Sequence, residues 1–211
     1  MLGVLLETEL NNVMKKSLSS IKIDRKTGSE PFHENGSPLP FKLLDFWQWY
    51  ASDLISNATR GILAEYLVAK ALETADSPRK EWDAYDALTK DGIKVEVKSA
   101  SYIQSWKQKQ YSRITFSTRS THAWNYDDDI FSEEKKRQAD VYVFCLLHHK
   151  DQQTLNPLDL SQWTFFVLST KKLNREIGDQ KSLGLRKLND IGATKVRFQK
   201  LYETIKLVVE D

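Results

Sequence analysis

Two acidic residues and a lysine near the middle of the chain have a spacing that could bind a metal ion. The stretch Ile93–Lys98 alternates apolar and charged residues, which predicts a strand with Glu96 and Lys98 on one face. A short Asp-Gly turn centred on Asp91 predicts a hairpin in which Asp86 lies directly opposite Glu96. Two facing carboxylates repel each other unless a hard divalent cation lies between them. The hairpin therefore indicates a metal site, and the alternative is an exposed face stabilised by salt bridges.

A third carboxylate lies on a predicted helix that precedes the hairpin. At about 100° per residue, Glu65 shares a stripe with small and apolar residues, whereas Arg60 and Lys70 are expected on the solvated face. A carboxylate on a buried stripe needs a partner because an unpaired buried charge is costly. Glu65 could therefore complete a metal site. The alternative is a glutamate at the edge of the stripe that pairs with an arginine.

Other residues with potential chemistry are weaker candidates. Asp83 is a rival metal ligand, but it precedes Asp86 by three residues and is expected to face the other side of the strand. The acidic cluster Asp127–Asp129 lacks the spacing of a calcium-binding loop, and we interpret it as a surface loop. His148 and His149 lack a second Cys or His cluster, so zinc is not expected.

The elements that must position these residues are predicted from a change in periodicity. Aromatic and apolar residues at helical spacing predict two helices, and we expect Trp47 and Trp49 to pack in the core. After these helices the period of the hydrophobic pattern falls from about 3.6 residues to about two, which predicts strands. The helices are predicted at 43–55, 58–73, 171–190 and 198–208, and the strands at 85–89, 93–98, 113–117, 141–147 and 163–168.

The order of these elements predicts an α/β protein with a mixed sheet between helical layers. Residues 1–40 contain scattered basic residues followed by glycines and prolines, which predicts an N-terminal arm that is partly flexible. Residues 41–211 are long enough for one domain and are predicted to form a single one.

The composition excludes several classes of protein. Hydrophobic residues make up 40% of the 211 residues and charged residues 28%, so a disordered or collagen-like chain is not expected. The single cysteine, Cys145, cannot form a disulfide within the chain and lies in an apolar run, which favours a buried, unreactive side chain in a reducing cytoplasm. A membrane-spanning helix needs about 18 apolar residues, and no stretch approaches this length.

Basic residues are unevenly distributed, although the formal net charge is only +2. Residues 92–119 contain six basic residues and one acidic residue, with Tyr102, Trp106 and Tyr111 between them. Residues 171–200 contain nine basic and three acidic residues. Both stretches are candidates for contacts with the phosphates of a nucleic acid. The alternative for these stretches is a solvated helix face.

The helical Glu65, followed by Asp86, nine further residues and then Glu96-Val97-Lys98, resembles the PD-(D/E)XK nuclease superfamily. The resemblance covers about residues 58–118. Tyr85 stands where the superfamily has a proline, and the sequence is similar to an uncharacterised bacterial branch of the superfamily. It implies the restriction-endonuclease-like fold, a three-layer α/β/α arrangement with a central mixed β-sheet.

The resemblance implies a metal-dependent nuclease, expected to be an endonuclease, that hydrolyses the phosphodiester bonds of DNA. Asp86, Glu96 and the backbone carbonyl of Val97 would bind Mg²⁺ or Mn²⁺, and Glu65 would complete the shell directly or through water. Lys98 would orient or help deprotonate the attacking water and balance the charge of the phosphate. The alternative is an inactive nucleic-acid-binding or assembly module of the same fold. A homodimer would supply the two sites that cutting both strands requires. Residues expected to contact DNA are Gln104, for which a structural role is the alternative, and Lys107, Lys109 and Arg113.

Overall fold

The structure is a computed structural model that describes residues 21–79, 84–125 and 130–210. The strands are β1 (Pro31–Glu34), β2 (Ser37–Lys42), β3 (Ala87–Leu88), β4 (Lys94–Ser101), β5 (Thr115–Ser117), β6 (Thr121–Asn125), β7 (Ile130–Lys136), β8 (Val141–Leu147), β9 (Trp163–Ser169), β10 (Ser182–Gly184) and β11 (Thr194–Val196). The α-helices are α1 (Leu43–Ala51), α2 (Asn57–Ala71), α3 (Thr170–Ile177), α4 (Leu185–Asp190) and α5 (Leu201–Glu210).

A mixed sheet of five strands forms the centre of the molecule in the order β11-β9-β8-β4-β3. Strands β4 and β8 run parallel, and the other neighbours are antiparallel. Every residue of β8 and β9 is buried. Their apolar sequences are typical of strands covered on both faces, and the prediction of a strand at 141–147 is confirmed.

Helices pack on both faces of this sheet and bury two apolar clusters. On one face, apolar residues of α2 and α5 belong to one cluster with Val95 and Val97 of β4. On the other face, α3 and α4 contact Tyr142, Phe144 and Phe166 of β8 and β9. The α/β architecture expected from the sequence is therefore present. Because β4 alternates, its charged residues Glu96 and Lys98 lie on the face opposite α2.

The first described part of the chain differs from the prediction. The turn at Asn35 and Gly36, with φ angles of 49° and 82°, joins β1 and β2 into a hairpin that the sequence analysis did not predict. Helix α1 packs against β2 and has no buried residue. The expectation that Trp47 and Trp49 pack in the core was wrong, since their exposed fractions are 37% and 82%.

Two C-terminal predictions also need correction. The stretch 171–190 is not one helix, because α3 ends at Ile177, before Gly178 with its φ of 51°, and the chain then forms β10 before α4 begins. The strand predicted at 113–117 is shorter, and as β5 it pairs with β10 and not with the central sheet. The helix predicted at 198–208 begins at Leu201 after a 3₁₀ turn.

Two smaller findings complete the fold. In the ranges that the structure describes, no helix is both long enough and apolar enough to cross a membrane. The acidic cluster Asp127–Asp129, interpreted as a surface loop, lies outside those ranges, whereas Glu133 and Glu134 lie in β7, which pairs with β6.

Candidate active site

The register of the β3–β4 hairpin places Asp86 beside Glu96. Ala87 pairs with Val95 and Leu88 pairs with Lys94. Directly before this ladder, the Asp86 N–H donates to the Val95 carbonyl at 3.0 Å and the Asp86 carboxylate accepts from the Val97 N–H, so Asp86 contacts β4 on both sides of Glu96. The turn contains Gly92 at a φ of 83°, a conformation that glycine adopts without strain. The alternation and turn residues of this segment therefore suffice to set the pairing that the sequence predicts.

The Asp86 carboxylate lies directly before the short strand β3, in a half-buried position. Its Oδ2 accepts a hydrogen bond of 2.6 Å from the backbone N–H of Val97. Burial, and then the negative charge of Glu96, raise the pKa of Asp86 to about 7, although Lys98 and the Val97 N–H oppose the rise. Glu65 adds a further small increase to this pKa. The site thus holds a carboxyl group whose charged form is disfavoured by burial and by its acidic neighbour.

Glu96 and Lys98 form an ion pair on the same face of β4. Lys98 Nζ donates to Glu96 Oε1, and their side chains are 28% and 20% exposed for Lys98 and Glu96 respectively. Both predicted features of the alternating strand are present: charged residues on one face, and Val95 and Val97 buried on the other. Lys98 is positioned to offset negative charge at this edge of the sheet.

Tyr142 is a neighbour of this site that the sequence analysis missed. It pairs with Glu96 across the parallel β4–β8 ladder and is 3% exposed. Burial and the negative charge of Glu96 raise the pKa of the Tyr142 phenol. Its position within the apolar run 141–147 gives no signal of a polar neighbour, because the β4–β8 register depends on tertiary pairing.

Glu65 lies at the edge of the buried stripe of α2 and pairs with an arginine. Its two carboxylate oxygens accept hydrogen bonds from Arg79 at 2.5 and 3.2 Å. The side chains are 18% exposed for Glu65 and 39% for Arg79. This is the pairing that the sequence analysis named as the alternative, with the difference that the arginine is itself more than one third exposed.

Arg60, which was expected to face solvent, is buried instead. Its exposed fraction is 3%, and it lies on the same stripe as Ala64, Leu67 and Val68. Desolvation lowers the pKa of its guanidinium, and the charge of Asp53 partly opposes this effect. The buried stripe of α2 is therefore rotated relative to the prediction, which is why Glu65 reaches only its edge.

Gln104 connects this buried arginine to the segment that follows β4. Its Oε1 accepts a hydrogen bond of 3.0 Å from Arg60, and its Nε2 donates to the Ser101 carbonyl and the Ser112 hydroxyl. Gln104 is 7% exposed, so its amide is engaged within the protein. The structure places it in the structural role given as its alternative, and we withdraw it as a direct contact to DNA.

The three basic residues predicted to contact a nucleic acid, Lys107, Lys109 and Arg113, are all exposed. They lie on the segment between β4 and β5, beyond the end of β4 that follows Lys98. A cleft of about 590 Å³ borders this segment, and its lining includes Lys109, Tyr111 and Lys150. The accessibility needed for phosphate contacts is therefore present at these three positions.

A second cleft joins two of the predicted acids. Its volume is about 480 Å³, and Glu65, Arg79, Tyr85 and Asp86 are among its lining residues. The part of the chain that the structure describes contains no cluster of three or more His, Cys, Asp or Glu side chains close enough to hold one ion. The structure thus brings Asp86 and Glu96 together on the hairpin, while Glu65 faces Asp86 across the cleft with Arg79 bound to it. The rival ligand Asp83 lies outside the described ranges.

Oxygen atoms that could bind a hard cation nevertheless lie next to Asp86. A strand residue directs its N–H and C=O to the same side, so the carbonyl of Val97 points to the edge where its N–H meets Asp86. Strand β3 begins at Ala87, so the β3–β4 ladder does not extend along Val97. Two carboxylates and one carbonyl fit the oxygen chemistry of Mg²⁺ or Mn²⁺.

Comparison with known proteins identifies the family. A family model described as bacteriophage T4 endonuclease IV matches residues 46–187, which is more than half of the chain and contains Glu65, Asp86, Glu96 and Lys98. No curated protein and no solved structure matches the chain. The chain that carries this fold and this charged hairpin therefore belongs to a family of endonucleases. The chain is a member of the bacteriophage T4 endonuclease IV family.

Proposed function

We propose that this protein is an Mg²⁺- or Mn²⁺-dependent endonuclease of the PD-(D/E)XK type that hydrolyses phosphodiester bonds of DNA. The observation that carries the proposal is the contact of Asp86 with β4: its N–H donates to the Val95 carbonyl and its carboxylate accepts from the Val97 N–H, on both sides of Glu96, which pairs with Lys98 on one face of the strand. Membership in an endonuclease family supports the reaction class. The antiparallel β3–β4 pair, flanked by α2 and followed by the parallel strand β8, supports the restriction-endonuclease-like fold.

The residues that would hold the ion are Asp86, Glu96 and the carbonyl of Val97, with Glu65 nearby in the outer shell. The raised pKa of Asp86 supports this assignment. It results from burial and from the negative charge of Glu96, and the positive charge of Lys98 only partly opposes these two effects. A bound divalent ion polarises the phosphate and lowers the pKa of a coordinated water.

The chain's own residues supply position and charge. The Val97 N–H holds the Asp86 carboxylate at the strand edge, and the Glu96 carboxylate holds the Lys98 ammonium on the same face. Lys98 would offset the negative charge that develops on the phosphate, an effect that fixed charges deliver without reorganisation. Arg79 holds Glu65 at the opposite wall of the cleft.

An inactive module of the same fold, which binds nucleic acid without cleaving it, is the second candidate. It is favoured by the internal pairing of the acids: Glu96 with Lys98, and Glu65 with Arg79. Such pairs also stabilise structural networks with no catalytic role. The predictions of a cytoplasmic location and of a homodimer stay predictions.

Plasmid cleavage separates the two candidates. We expect the purified protein to nick or linearise supercoiled DNA in Mg²⁺ or Mn²⁺ and to stop when EDTA removes the ion, because the acidic pair needs a hard cation. Gel electrophoresis of the plasmid measures this. DNA binding in Ca²⁺ with no cleavage in Mg²⁺ or Mn²⁺ would establish the inactive module instead.

The role of Glu65 can be tested by the nearly isosteric change Glu65→Gln. Because its partner Arg79 is more than one third exposed, we expect the stability without metal to change by less than about 1 kcal/mol. We expect cleavage to fall by about 10- to 100-fold and half-maximal activity to require more Mg²⁺, as for outer-shell residues. Thermal melts with and without Mg²⁺, together with cleavage rates against Mg²⁺ concentration, measure both effects.

Glu73→Gln is the matched control, since Glu73 follows α2 and pairs with Lys90 on the surface. It should alter neither the metal response nor the cleavage rate. A large loss of stability in Glu65→Gln with an unchanged response to Mg²⁺ would assign Glu65 a structural role only.

A further inference from the structure

A basic cavity lies at the end of the sheet where β4 and β8 begin. Its volume is about 590 Å³. Three lysines from separate elements line it: Lys94 from β4, Lys136 from β7 and Lys171 from α3. The remaining lining residues are Arg137, Gln138, Ala139, Asp140, Ser169, Thr170 and Val209.

Backbone pairing holds these elements together. Val95, Val141 and Ser169 lie side by side across β4, β8 and β9, so the start of α3 adjoins the starts of β4 and β8. Asp140 links them, since its carboxylate accepts from the Lys94 N–H at 2.8 Å and its carbonyl accepts from the Thr170 N–H at 2.8 Å. The cavity is therefore built on the central sheet.

The cavity carries an excess of positive charge. Asp140 is its acidic lining residue, and one of its carboxylate oxygens already accepts from the backbone of Lys94. Arg137 is 8% exposed and donates to the Thr118 and Gln180 carbonyls, so it supports the wall. The lysine ammonium groups supply the positive charge that an anion in the cavity would meet.

Lys94 and Lys136 can exchange their present contacts for a phosphate. Lys136 pairs with Glu134, with side chains that are 58% and 72% exposed, and exposed pairs of this kind are weak. The Lys94 ammonium lies 5.7 Å from the centre of the Tyr85 ring, next to Asp86 in the chain. Neither contact buries the charge.

The cavity has a defined place relative to the proposed active site. Lys94, Glu96 and Lys98 alternate onto one face of β4, and four residues of strand span about 13 Å. The exposed Lys107 and Lys109 lie beyond the opposite end of β4. Positive groups therefore lie at both ends of the strand that carries Glu96 and Lys98.

We propose that the cavity lined by Lys94, Lys136 and Lys171 binds the sugar–phosphate backbone of the DNA on one side of the cleaved bond. The inference rests on the proposed endonuclease function and adds a substrate-binding site to it. The DNA backbone then runs along β4 from this cavity, past Lys98, towards Lys107 and Lys109. Phosphate contacts of this kind bind without reading sequence and weaken as salt displaces them.

The salt dependence of DNA binding tests the proposal. A plot of log affinity against log salt falls with increasing salt. The triple variant Lys94→Gln, Lys136→Gln, Lys171→Gln should make this fall less steep, by about 0.9 for each phosphate of the duplex that the protein no longer neutralises. The wild-type protein should then lose about 40-fold more affinity than the variant between about 50 and 200 mM salt. Fluorescence anisotropy of a short labelled DNA duplex in EDTA, where cleavage is stopped, measures both.

A charge-matched control uses Lys70, Lys90 and Lys206, which do not line the cavity. Their triple change to Gln should leave the slope nearly unchanged. Equal weakening by both triple variants, or a wild-type slope in the cavity variant, would overturn the cavity as a binding site while cleavage by the wild-type protein left the proposed function standing. Failure of the wild-type protein both to bind and to cleave DNA would overturn both.

Discussion

Replacing Glu96 by Gln, or Lys98 by Ala, should lower the rate of DNA cleavage by about 100- to 1,000-fold. Glu96 would be a direct ligand of the ion, and Lys98 supplies a positive charge that acts on both hairpin carboxylates. Removing a fixed charge from the site where charge develops in the transition state typically has an effect of this size. Single-turnover cleavage of a labelled DNA in excess Mg²⁺ measures the loss.

The same two variants should keep their fold. Their side chains are at least one fifth exposed, so the melting temperature should change little. Lys90→Ala and Glu73→Gln provide the matched control, because they break another ion pair that lies on the surface. Robust cleavage by either Glu96→Gln or Lys98→Ala would exclude this hairpin as the active site.

Asp86→Asn should inactivate the protein and stabilise it at alkaline pH. The pKa of Asp86 is raised to about 7 in the folded protein from its ordinary value of 3.8, so the folded state binds the proton more tightly than the unfolded state. Stability from this group is therefore present at low pH and is lost as pH rises through 7. Asparagine has no charge and avoids that loss, which we expect to be about 2 to 4 kcal/mol.

The gain should be complete above pH 7, shrink as pH falls from 7 towards 4 and be absent below about pH 4. Urea unfolding of both proteins at several pH values measures it, without metal, and plasmid cleavage measures activity. Asp91→Asn is the control in the same hairpin: Lys206 lowers the pKa of Asp91, so this change should bring no gain at high pH. A less stable Asp86→Asn at pH 8, or loss of activity in Asp83→Asn but not in Asp86→Asn, would contradict the assignment.

The hairpin shows how much of the site was predictable from local sequence. The alternation of Ile93–Lys98 and the Asp-Gly turn are sufficient to predict a register that sets Asp86 against Glu96, and the paired residues of β3 and β4 have this register. Such pairing depends on residues within ten positions of one another. The fully apolar run 141–147 likewise predicts a strand covered on both faces.

The helix α2 shows where the sequence was insufficient. Its polar pattern suggested that Arg60 faces solvent, yet Gln104, more than forty residues later, accepts a hydrogen bond from the arginine inside the protein. That partner allows the helix to rotate and leaves Glu65 at the edge, beside Arg79. A buried charge is tolerated only where other groups form hydrogen bonds or ion pairs with it. Partners that are distant in the chain, such as Gln104, cannot be predicted from the periodicity of the helix.

Local pattern thus determined the strands β4, β8 and β9, the paired residues of the β3–β4 hairpin and the α/β class, because these depend on neighbouring residues and on turn chemistry. Tertiary structure alone decided the pairing of Glu65 with Arg79, the raised pKa of Asp86 and the meeting of Lys94, Lys136 and Lys171 around one cavity. Each of these depends on burial or on contacts between segments far apart in the chain. Desolvation and the distances between charges are properties of the assembled core, so neither is set until the sheet and helices have packed.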